Sequence, residues 1–132
     1  MSFRYSVEVE HFAERHFIKK FQKKYKNYWD ITWRAIFEEF KHIDSLLDET
    51  SIAKIIVDVD NVRIIKTEFR VVGTKQSKKS SGNRCIIAVH GDSKAVHVLL
   101  AYHKNDLSGK GNETDKWKRI IKENYKQYQY LL

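Results

Sequence analysis

The sequence predicts an α+β domain: an N-terminal helical hairpin packed on a small antiparallel β-sheet, with a C-terminal helix. Three observations carry that prediction. Apolar residues recur at helical spacing over roughly residues 13–47. Three runs rich in β-branched residues follow, each bounded by turn residues. A capped amphipathic segment then closes the chain. Helices first and strands after favour helices on one face of an antiparallel sheet, not a parallel, doubly wound one.

Each element has its own local reason. Residues 3–9 alternate Phe3, Tyr5, Val7 and Val9 against Arg4, Ser6 and Glu8, which suits a short strand or an extended arm. Residues 13–26 form a basic helix with Phe17, Ile18, Phe21 and Tyr25 on one face and lysines over the rest. Asn27 is its expected stop, and Asp30 the expected N-cap of the second helix. That helix carries Trp33, Ile36, Phe37, Phe40, Ile43 and Leu47 at spacings of three and four. Residues 51–57 suit a strand or a helix tail, and 58–61 a turn. Strands are predicted at 62–72, 85–89 and 95–102, with a loop at 73–83 and a hairpin turn at 90–93. The last two strands are apolar on both faces, so they belong in the middle of the sheet. Strict alternation puts Val96, Val98, Leu100 and Tyr102 on one face, and His97, Leu99, Ala101 and His103 on the other. Asn112 is the N-cap of the last helix, whose stripe is Trp117, Ile120, Ile121 and Tyr125. Trp33, Phe37, Phe40, Phe69, Ile87 and Leu100 are expected in one core.

The 132 residues suit a single domain spanning the chain. Twenty-five Lys and Arg against 17 Asp and Glu give a formal charge of +8. A small basic domain points to nucleic acid, the ribosome or an anionic surface; plain solubility is the alternative. No apolar stretch approaches the ~20 residues of a membrane span, and residues 1–10 lack a secretory apolar region. A soluble cytoplasmic protein is expected, with no membrane partner. The lone Cys85 opens an apolar run and reads as a buried thiol. Six histidines lack metal-ligand spacing, and no glycine-rich phosphate loop occurs, so neither metal nor organic cofactor is expected.

The densest signal is the stretch 73–84. Lys75, Lys78, Lys79 and Arg84 crowd there with no acidic residue between. Like charges so close add nothing to fold stability, yet they suit a grip on a polyanion. Arg84 opens a stiff strand, where its planar guanidinium can be aimed at phosphate; the alternative is a strand-edge arginine paired with a carboxylate. Arg70 completes the patch or pairs with a carboxylate such as Glu68. His103 and Lys104 end the neighbouring strand, and imidazole exchanges protons near neutral pH. Metal-free RNA cleavage needs a base for the 2′-hydroxyl, cations for the phosphorane and an acid for the 5′ oxygen.

Two segments bring a family into view. Lys78-Lys79-Ser80-Ser81-Gly82-Asn83-Arg84-Cys85-Ile86-Ile87 resembles the basic loop, small-residue turn, arginine and apolar strand of RelE/HigB-type toxins from bacterial toxin–antitoxin modules, the RelE/ParE superfamily. Val98-Leu99-Leu100-Ala101-Tyr102-His103-Lys104-Asn105-Asp106-Leu107 is similar to that family's last strand, which ends Tyr-x-Lys before a C-terminal helix. The likeness covers roughly residues 12–126. It implies a metal-independent, ribosome-associated endoribonuclease that cuts mRNA, inhibits translation and is neutralised by an antitoxin protein. On the matching positions it implies catalytic roles for Arg84, His103 and Lys104, and RNA contacts by Arg70, Lys75, Lys78 and Lys79, with no cofactor. Asn83 stands where an aromatic residue is common, Asn105 where a basic one is, and Tyr125 is the nearest candidate for a C-terminal tyrosine. Those departures leave a second reading open, a non-catalytic basic module that binds nucleic acid or a partner protein.

Overall fold

Strands β3 (Val62–Phe69), β4 (Asn83–His90) and β5 (Ala95–His103) are buried along most of their length. Apolar residues on both faces oblige them to be covered on both, and they are. The computed structural model describes residues 4–132 and builds three layers around a five-stranded sheet of order β1-β5-β4-β3-β2. Phe3, at the start of the predicted alternation, lies outside the described residues. β1 (Ser6–Val9) runs parallel to β5, and the remaining pairs are antiparallel. β2 (Ala53–Val59) is the other edge, so residues 51–57 resolve as strand. Asp60 and Asn61 take the tight β2–β3 turn with φ of 53° and 64°, the left-handed pair that such a hairpin requires.

One face of the sheet carries the predicted hairpin. Its first arm is continuous: α1 (His11–Ala13), a π-helical turn (Glu14–Ile18) and α2 (Lys19–Tyr25). The break falls at Lys26, which takes φ 44°, one residue before the predicted stop at Asn27. Asn27 opens α3 (Asn27–Lys41), so Asp30 lies inside the first turn and does not cap it. There its carboxylate faces the positive end of the helix dipole. α4 (Ile43–Glu49) follows directly. Trp29, Phe40, Ile43, Phe69 and Ile87 form the core on this side, with Trp33 packed at its margin. Phe37 stays half-buried, edge-on to Trp33.

The C-terminal helix departs from the prediction. α5 (Glu113–Asn124) and the 3₁₀ segment Lys126–Leu131 cover the opposite face of the sheet. There Ile64, Ile86, Leu100, Trp117 and Ile121 make a second core, and Leu100 belongs to it and not to the first. The cause is a β-bulge. Ile86 pairs with Leu100 while Ile87 pairs with Val98, so Leu99 has no partner across the ladder. The extra residue switches the faces: Val96 and Val98 look to the hairpin, whereas Leu100 and Tyr102 look to α5. Asn112 caps α5 as predicted, its Oδ1 accepting the Asp115 N–H at 2.8 Å. Among the described residues, no helix is long and apolar enough to cross a membrane. Nor does any cluster of His, Cys, Asp or Glu converge to hold a metal.

Candidate nucleic-acid interface

The start of β4 and the end of β5 meet at one end of the sheet, where the 70–82 loop enters. Register sets Asn83 opposite His103 and Arg84 opposite Tyr102. Residues paired across a ladder share a face. Asn83 and His103 therefore lie toward the hairpin, and Arg84 and Tyr102 toward α5. The bulge thus separates two residues expected to act together, Arg84 and His103.

Beneath α5, Arg84 is only 12% exposed, with its Nε 3.3 Å from Glu113 Oε2. The contact is close enough for an ion pair but not aligned for a hydrogen bond, so this buried N–H remains unshared. The attraction persists without that bond, because Coulomb attraction has little angular demand. Tyr102 donates its hydroxyl to the same Oε2 at 2.8 Å. Burial, then the bond to Glu113, then that carboxylate's charge push the Tyr102 phenol far above its ordinary range. It stays protonated and is no proton acceptor. The carboxylate alternative weighed for Arg84 is the contact present here. Glu113 was missed in the sequence; its signal is a carboxylate directly after the Asn112 N-cap, where the helix dipole favours one.

The 70–82 loop is tied down by its own side chains. Ser77 and Ser80 bond each other through both side chains and backbone. Ser81 donates to the carbonyl of Phe69 at 2.5 Å and also contacts that of Lys78 at 2.8 Å. Thr74 donates to the Val71 carbonyl at 2.7 Å. Lys78 is drawn back to Glu39 of α3 at 3.3 Å. Arg70, Lys75 and Lys79 are exposed, as is Lys104 just past β5.

His103 is fixed from two sides. Its Nδ1 accepts the Asn105 N–H at 3.1 Å, so the neutral ring carries its proton on Nε2. That nitrogen packs over Gly82, where a Cβ would meet it at 2.6 Å; Gly82 also holds φ at +80°. His103 is thereby poised to donate a hydrogen bond from Nε2 and not to accept a proton at Nδ1.

Beside it, the first helical arm and the end of the sheet enclose a pocket of about 70 Å³. Phe17, Phe21 and Tyr25 supply its helical wall, and Asn83, His103 and Asp106 its sheet side. Lys20 and Lys24 share the lining. Lys20 Nζ sits 6.0 Å from the Phe17 ring centre and Lys24 Nζ 5.3 Å from that of Tyr25. The aromatic spacing of four, with a lysine three places after each of Phe17 and Phe21, was legible in the sequence as a stripe but not as a wall.

No family model matches the sequence, and no curated protein matches it. Among solved structures, the fold is similar to a chain of the archaeal RelE–RelB complex from Pyrococcus horikoshii OT3. The TM-score is 0.50 at 13% identity, covering 78% of this chain and 98% of that one. At that identity the likeness establishes the architecture: this is a RelE-type fold.

Proposed function

We propose that this protein is the toxin of a toxin–antitoxin pair and that it grips and cuts mRNA at the ribosome, inhibiting translation without a metal. The observation that carries the reading is the RelE-type fold with exposed cations gathered at one end of its sheet. The similar chain is part of a complex with RelB, which supports an antitoxin as partner here. In this reading Arg70, Lys75 and Lys79 hold the RNA backbone. Lys104 stabilises charge on the phosphorane, and His103 Nε2–H is placed to donate toward a phosphate or leaving oxygen. Lys78 and Arg84 enter as supports: the first anchors the loop to α3, the second the start of β4 to α5.

A specific observation favours a second reading, a non-catalytic basic module on the same fold. Arg84 is committed to Glu113, Tyr102 stays protonated, and His103 Nδ1 is already engaged. One experiment separates the two: induced expression with and without a co-expressed antitoxin, followed by mapping of transcript 5′ ends. New ends within codons, growth arrest and rescue by the antitoxin are expected. Arrest without new ends selects the binding module, and no arrest at all defeats the toxin assignment.

A further inference from the structure

Among the described residues, three large apolar side chains stay exposed side by side next to the basic loop. Tyr28 is 57% exposed, Ile31 56% and Val72 40%. Tyr28 and Ile31 stand one turn apart on α3 and are neighbours on its surface. Thr32 draws Val72 to them: its Oγ1 accepts the Val72 N–H at 2.9 Å and donates to the Tyr28 carbonyl at 2.8 Å. The Tyr28 ring lies against Gly73, where a Cβ would meet Cε1 at 3.4 Å and Cδ1 at 3.5 Å. Gly73 holds φ at +91°, a conformation that suits glycine, so the loop backbone itself backs the ring. Single exposed apolar residues need no explanation, but a contiguous set marks a surface that meets something.

Exposed cations flank this set. Lys75 stands two residues past Gly73, within about 7 Å of it from Cα to Cα. Arg70 stands two residues before Val72, and Arg34 one turn past Ile31. Asp30, the carboxylate nearest in sequence, is two places past Tyr28 and does not share its side of the helix. The ligand that fits carries anions and flat apolar rings together, and single-stranded nucleic acid repeats both at every unit. We propose that Tyr28 is a base-stacking platform: one unpaired nucleobase lies on its ring while Arg70, Lys75 and Arg34 hold the phosphates beside it. Stacking is tolerant of sequence, because every base has a π-face. An acidic protein segment would serve the same charges but needs only apolar bulk, not an aromatic ring. This inference rests on the RNA reading given above and deepens it by naming where a base is held.

The test uses the full chain and two short probes, an oligouridylate and the same oligonucleotide built from 5,6-dihydrouridine. Both carry the same phosphates, but the saturated base is puckered and does not stack. Fluorescence anisotropy reads their affinities across a salt series. Tyr28→Ala should weaken the oligouridylate roughly five- to 150-fold and leave the dihydrouridine probe within about twofold. The salt slope should not change, because no charge is removed. Tyr28→Phe should bind as the wild type does, and Tyr28→Leu as Tyr28→Ala does. Should Tyr28→Ala fail to fold, Tyr28→Leu, which keeps apolar bulk against Gly73, carries the test. Loss of both probes alike in Tyr28→Leu overturns the proposal, since it shows that the ring only orders the loop. Wild-type affinity in Tyr28→Leu overturns it too, because apolar bulk then suffices, as it would for a protein partner. In both of those cases the wild type still binds RNA, so the platform falls and the RNA reading stands. A wild type that binds neither probe at any salt overturns the RNA reading and the platform with it.

Discussion

Arg84 stands where two demands compete, a free cation for RNA and a neutralised cation under a helix. Its low exposure and its Glu113 contact supply the second of these in the free protein. Removing one member of a partly buried pair strands the other. Arg84→Ala should therefore cost about 1–3 kcal/mol of stability, read by chemical denaturation. Glu113→Gln should cost less, because the amide still accepts from Tyr102. If Arg84→Ala leaves the denaturation midpoint unchanged, the pair contributes nothing and Arg84 is free for another role. Lys26 is a simpler case. It holds φ 44° without being glycine, a conformation that L side chains resist. Lys26→Gly should raise stability by about 1 kcal/mol, and an unchanged or lower melting temperature would refute that. In the sequence, Arg84 was visible as a strand-opening cation, but its partner lies 29 positions away at the start of α5. Local pattern has no access to a contact set by tertiary packing.

At the scale of elements, one residue decides the most. The unpaired Leu99 turns the last four residues of β5 over, so strict alternation assigned Leu100 and Tyr102 to the wrong core. A period-two rule fails by a whole face for each inserted residue. The starts of β3 and β5, the Asn112 cap and the turn at Asp60-Asn61 were legible, because each depends on neighbours in sequence; β3 ends at Phe69 and not at 72, and β4 starts at Asn83 and not at 85. α5 was legible as a helix but not as a separate layer. Its anchor is Trp117, fully buried; Trp117→Ala should cost about 3–5 kcal/mol, and a loss under 1 kcal/mol would mean that the layer is only loosely held. The 3₁₀ segment after it is latched by Tyr128, whose hydroxyl lies 2.8 Å from His90 Nε2. Burial, with a lesser push from neighbouring Glu10, raises Tyr128 to about 12, so the phenol donates. Burial and then the His97 charge lower His90 below its ordinary value of 6.5. A lowered folded value makes the sign definite. The contribution is complete above the unfolded value and is lost as pH falls through the folded one. Wild type should lose stability as pH falls below the ordinary histidine value of 6.5, and His90→Gln, which never charges, should lose less. Identical losses in urea unfolding would remove His90 from the account.

Over the whole molecule, the charge of +8 becomes an address only once the fold sorts it. The acidic run from Glu38 to Asp60 sits on α3, α4 and the β2 edge. Arg70, Lys75, Lys79 and Lys104 are exposed at the end of the sheet where β4 starts, and Lys20 and Lys24 at the pocket beside it. Lys78 looks equivalent in the sequence, but it is spent on Glu39. These placements give the RNA reading a number. Binding to a single strand releases counterions, and log K falls with log salt by about 0.7 for each phosphate neutralised. With all six cations engaged, the slope should be about −4. Lys75→Ala with Lys79→Ala should flatten it by about 1.4. Lys78→Ala should leave the slope nearly unchanged and instead lower stability slightly, since the pair it breaks is partly exposed and worth at most about 1 kcal/mol. The measurement is the affinity of a short single-stranded oligoribonucleotide across a salt series for wild type and these variants. A flat wild-type response would show that the cations do not meet phosphate. A slope that drops as much for Lys78→Ala as for its exposed neighbours would show that the Glu39 contact gives way when RNA arrives.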